Sequence, residues 1–100
     1  MNEADDLEIR DFEFDSFNIR HLAVHGLTKE TIWDIWLDDP VVVPDRPLHS
    51  GTHLLIGMDS AGVLWTIAIV CVDDERGLWR PITGFPTERE DERGAWYGED

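Results

Sequence analysis

Val63-Leu64-Trp65-Thr66-Ile67-Ala68-Ile69-Val70-Cys71-Val72 is the longest apolar run in the chain, and its reading decides the fold. It is about half as long as the ~20 residues of a membrane-spanning helix. Turn chemistry closes both of its ends, with Asp59-Ser60-Ala61-Gly62 before it and Asp73-Asp74-Glu75-Arg76-Gly77 after it. A β-branched run between such turns is a strand, and one without polar alternation is covered on both faces. The run therefore predicts the middle strand of a sheet. Cys71, the sole cysteine, falls inside it and is expected to be inert packing, with no internal disulfide open to it.

Working outward, His53 to Met58 and Leu78 to Phe85 are the neighbouring strands across those two turns, and Val41-Val42-Val43 is a further short one. Between them, Pro44 to Gly51 reads as a loop. Upstream lie two short helices. Asp15 or Ser16 caps the first, of about ten residues, with Ile19, Leu22 and Ala23 at i, i+3 and i+4 and Gly26 as its stop. Thr28 caps the second, where Ile32, Ile35 and Trp36 repeat the stripe and Asp38-Asp39-Pro40 ends it. Before both helices, Phe12 and Phe14 alternate with acids as a partly buried edge strand. Thr87 to Tyr97 reads as a short terminal helix laid against the sheet, with a loose acidic tail as the alternative.

The expected class is thus α+β: a strand, two short helices, then a four-stranded mainly antiparallel sheet joined by the first strand. One domain is expected over residues 9–97, preceded by a fraying acidic segment at 1–8 and followed by a tail at 98–100.

Charge narrows the function. Twenty-two acids oppose eight bases, Lys29 is the only lysine, and the formal net charge is −14. Binding to a phosphate backbone draws its strength from Lys and Arg displacing counterions, so such a surface repels bare nucleic acid and suits a basic protein. An acidic face is either a solvated surface or a mimic that fills a nucleic-acid-binding groove on another protein. No positively charged leader and no membrane span is read here, so a cytoplasmic location without a membrane partner is expected.

Two stretches resemble the BrnT family, small ribonuclease toxins of RelE-like fold paired with a cognate antitoxin. Phe12-Glu13-Phe14-Asp15 followed by His25-Gly26-Leu27-Thr28 is similar to the family's opening pattern. Trp79-Arg80-Pro81-Ile82-Thr83, with Glu92, Arg93 and Tyr97 beyond it, is similar to its last strand and terminal helix. The likeness runs in order from Phe12 to Tyr97. It implies a toxin–antitoxin lineage, an antitoxin as partner, and metal-independent RNA cleavage. That chemistry needs one group to take the 2′-hydroxyl proton, another to protonate the leaving oxygen, and cations for the charge developing on phosphorus. The residues that match are Arg80, Arg93, His25 and Tyr97. Family members are typically basic and carry an Arg where this chain has Phe85. The reading is therefore a BrnT-like domain with weak or no ribonuclease activity, bound to RNA only if active. Its alternative is an acidic interaction module for a basic or nucleic-acid-binding protein.

Other candidates are weaker. His21 and His25 lie at i, i+4, and His49 and His53 repeat that spacing; such pairs can bind zinc, but surface or capping roles are the plainer reading, so neither metal nor cofactor is expected. Of the five tryptophans, Trp36, Trp65 and Trp79 read as core. Trp33 and Trp96 read as an exposed pair suited to protein contact.

Overall fold

A computed structural model describes residues 8–44, 52–88 and 90–97. The elements run β1 (Asp11–Phe12), α1 (Ser16–Ala23), α2 (Lys29–Leu37), β2 (Val41–Pro44), β3 (His53–Met58), β4 (Leu64–Asp73), β5 (Leu78–Pro86) and α3 (Glu90–Tyr97). The class is α+β, as the sequence indicates. The strands form one sheet in the order β1-β5-β4-β3-β2. All neighbours are antiparallel except β1, which joins β5 in parallel through Asp11↔Leu78 and Phe12↔Trp79.

Both hairpins form where turn residues were read. The Asp59 carboxylate accepts the Ala61 and Val63 N–H groups, and Gly62 has φ 84°, a left-handed conformation that favours glycine. At the other turn the Asp73 carboxylate accepts the Glu75 and Arg76 N–H groups. The β4 run is central, but it is covered along only part of its length. Leu64 to Ile69 are buried, Val70 is half-buried, and Cys71 and Val72 are exposed. The register with β5 shifts between Cys71 and Asp73, at this exposed end of the strand. Cys71 is therefore a surface thiol, not core packing. Its partly desolvated surroundings, then the Asp74 carboxylate, hold its pKa above the usual thiol value.

Strand alternation sends residues to two cores. Leu55, Trp65, Ile67, Ile69 and Trp79 meet Leu22, Leu27, Ile32 and Ile35 on the α1–α2 side. On the other side Leu54, Ile56, Leu64 and Ala68 are packed by Ala95 and Trp96 of α3. The tryptophan pair expected at the surface is accordingly split. Trp33 packs edge-on to Phe12 at 5.0 Å, and Trp96 closes the second core from the opposite face. Both are amphipathic rings used to seal a helix against the sheet.

Two glycines set how closely layers approach. A Cβ on Gly57 would lie 2.6 Å from Ile35 Cγ2, and one on Gly84 would collide with the Leu27 side chain. Residues 1–7 of the segment expected to fray, the tail at 98–100, and residues 45–51 of the expected loop, His49 among them, lie outside the described residues. Glu8 is tied down, since its carbonyl accepts the Trp79 indole N–H at 3.0 Å. No helix among the described residues is long and apolar enough to cross a membrane.

Candidate functional site

Arg80 leaves β5 beside the link between β1 and α1. Its guanidinium forks onto Asp15, with Nη1 to Oδ2 at 2.9 Å and Nη2 to Oδ1 at 3.0 Å. Nη1 also donates to Glu13 Oε1 at 3.0 Å. Fork-to-fork pairs of this kind are the strongest side-chain hydrogen bonds available to a surface arginine. Asp15 serves a second purpose as the cap of α1, accepting the Phe17 and Asn18 N–H groups. Arg80 first, then the Asn18 N–H, holds its carboxyl down to about 2 from 3.8. The same pair raises the Arg80 pKa above its ordinary value. A carboxylate held so low is no general base at neutral pH.

Asn18 completes the cluster and had no place in the sequence reading. It is 3% exposed, and its amide nitrogen donates to the Glu13 carbonyl and to the Pro81 carbonyl, both at 2.9 Å. Its oxygen accepts the Asp15 N–H at 2.8 Å. The last β1–β5 ladder bond, from Glu13 N–H to the Trp79 carbonyl, lies just before this point. Asn18 thus replaces the missing strand for the next carbonyl along β5. The signal for it was its position at the third residue of a capped helix, where a reciprocal capping side chain belongs. Its inward placement also fixes the helix phase. Asn18 and Leu22 face the core, whereas Ile19 and Ala23, expected on that stripe with Leu22, are exposed.

The other matched residues lie elsewhere. Arg93 stands on α3, and its Nη2 donates to the Thr87 carbonyl at 3.0 Å. Thr87 is just past the far end of β5: its N–H bonds the Leu64 carbonyl, whereas Arg80 pairs with Val70. At ~3.3 Å per strand residue the two arginines attach roughly 20 Å apart along β5. His25 follows α1 in the turn closed by Gly26 and has its ring 6.5 Å from Phe85. Tyr97 is exposed on α3. Among the described residues no hydrogen bond joins any two of Arg80, Arg93, His25 and Tyr97. His53 lies edge-on to Trp79 at 5.3 Å, with Nδ1 3.0 Å from the Thr52 hydroxyl. Among the described residues no three His, Cys, Asp or Glu side chains gather in a metal-binding group.

Chemically, the Arg80 cluster is a clasp: one cation shared by two carboxylates, with a local charge of −1. It joins β1, α1 and β5, and offers a phosphate only a guanidinium whose two terminal nitrogens already donate to carboxylates. No protein-family model, curated protein or solved structure matches the chain.

Proposed function

We propose that this chain is a BrnT-like, toxin–antitoxin-type domain with weak or no ribonuclease activity, acting as an acidic module that binds a basic or nucleic-acid-binding protein. What carries this reading is the state of Arg80. The arginine that the resemblance would assign to phosphate is held by Asp15 and Glu13, so RNA would have to displace two carboxylates to reach it. The net charge of −14 works in the same direction, repelling a polyanion and steering a polycation. Arg93, at the other end of β5, supplies no second cation to the same place.

The test is induced expression in a bacterial host, following growth and total RNA integrity beside an Arg80→Ala, Arg93→Ala double variant. Normal growth and intact RNA are expected from both, with the purified chain binding an oligolysine probe in a salt-sensitive manner. Growth arrest with RNA cleavage that the double variant abolishes would establish an active toxin and reject the module.

A further inference from the structure

The outer face of α1 is an anomaly in so acidic a chain. From Ser16 to Thr28 there is no Asp or Glu, although twenty-two stand in the whole sequence. Within the acid-free stretch from Ser60 to Val72, Leu64 to Ile69 are buried in the sheet, whereas most of the Ser16–Thr28 stretch is surface. Phe17 is 78% exposed and Val24 75%, large values for apolar side chains flanking a helix. Phe17, Arg20, His21 and Val24 fall at i, i+3, i+4 and i+7 and line an open groove of about 370 Å³. Neither the Arg20 nor the His21 side chain has a hydrogen bond or ion pair with another described residue.

The ordinary explanation for a stripe at that spacing is packing against the body of the protein. Here that role belongs to Asn18 and Leu22 on the other side of the helix. The outward stripe is left without a partner among the described residues, and Phe17 and Val24 stand at i and i+7, two of the positions at which one helix anchors on another.

Charge says what covers it. A net charge of −14 draws a partner that is basic as a whole, yet the groove itself is walled by the Arg20 guanidinium and the His21 ring. Lysines or arginines pressed onto that face would meet like charge. The contacting stripe must therefore be apolar, to cover Phe17 and Val24, with a carboxylate placed for Arg20 and its basic residues turned outward.

We infer that α1 is the docking surface for an amphipathic helix of a basic protein, anchored on Phe17 and Val24 with a carboxylate paired to Arg20. This rests on the reading of the chain as a module for a basic partner, and it adds where the partner sits and which side chains hold it. The neighbouring acidic surface then supplies approach rate, and the α1 groove supplies selectivity.

The probe is a synthetic helical peptide with leucines at i, i+3, i+4 and i+7, one glutamate beside that stripe, and lysines elsewhere. Its control has the same composition in scrambled order. Backbone amide shifts of the intact chain are followed during titration with each. The expected result is that shifts concentrate on residues 16–26, that the scrambled peptide binds about tenfold more weakly, and that Phe17→Asp costs a similar factor. Val24→Asn, measured in parallel, serves the same purpose if the Phe17 variant loses its amide dispersion. Equal binding of both peptides, with shifts on acidic residues elsewhere and none lost in the variants, would overturn the α1 assignment while leaving the basic-partner reading intact. No shift with either peptide would remove both. Two further outcomes also overturn it: sedimentation as a dimer that Phe17→Asp abolishes, which makes a second copy the occupant, and Phe17-dependent pelleting with phosphatidylglycerol vesicles, which makes it a membrane surface.

Discussion

The two sides of α1 invert the usual rule of burial. Its inner side buries an asparagine at 3% exposure, and its outer side leaves a phenylalanine at 78%. The difference shows that completeness of hydrogen bonding, and not polarity, decides whether a side chain tolerates the interior. Asn18 goes inside because each of its bonds has a waiting partner: two carbonyls that no strand reaches and one N–H at the head of a helix. Phe17 stays outside because that phase of the helix leaves it no wall to pack on.

The sharpest way to break this comparison is Asn18→Leu, which makes the inner side apolar with the same number and branching of side-chain heavy atoms. If apolar burial were what the site wanted, the variant would gain stability. We expect a loss of about 3 kcal/mol, because the buried Pro81 carbonyl and the part-buried Glu13 carbonyl are left unpaired at roughly 1–3 kcal/mol each. Urea unfolding measures it directly. A variant as stable as the parent would mean that the clasp does not need Asn18.

Next in size is Gly84→Ala, which tests how tightly the helical layer sits on β5 just beyond the clasp. The added methyl meets Leu27 from one side and approaches Ile67 Cγ1 at 3.2 Å from the other. Overpacking of that kind costs about 1–3 kcal/mol. Denaturation together with near-ultraviolet circular dichroism of the tryptophan-rich core reports it; an unchanged unfolding midpoint would show that the Leu27 segment yields freely.

What the sequence made legible was local. Thr28 and Asp15 as caps, Gly62 and Gly77 as turn residues, and the strand character of Val63–Val72 all depend on neighbours within a few positions. What it hid depends on distant ones. Asn18 meets Pro81 63 residues on, and Arg80 meets Glu13 and Asp15 across 67 and 65 residues. The resemblance could single out Arg80 but could not indicate that its guanidinium is paired with Asp15 and Glu13. The split of Trp33 and Trp96 to opposite faces has the same origin, since periodicity gives the phase of an element and not what another element brings to it.

The clasp also has a pH signature. The Asp15 carboxyl is lowered from 3.8 to about 2, chiefly by Arg80. A depressed carboxyl contributes stability that is present in full above its unfolded value and is lost as pH falls through the folded one. The parent should therefore lose this contribution between about pH 4 and pH 2. Arg80→Ala, whose Asp15 returns toward its ordinary range, should lose less across that interval. Carboxyl chemical shifts give the titration and urea midpoints give the stability. An Asp15 that titrates near 3.8 in the parent would show that the fork is not held in solution.

The smallest effect is expected on the outer side, and its smallness is the point. Phe17→Ser removes the most exposed aromatic ring of α1 at the second helical position, where the backbone N–H is already satisfied by Asp15. Folding gains nothing from a side chain 78% in water, so the change in stability should stay within about 0.5 kcal/mol. Read beside Asn18→Leu, it separates the two sides cleanly: the polar residue holds the fold, and the apolar one is free for something else. A loss of several kcal/mol would mean that Phe17 is covered within the chain in solution, and the groove beside Arg20 and His21 would then close as a surface for any partner.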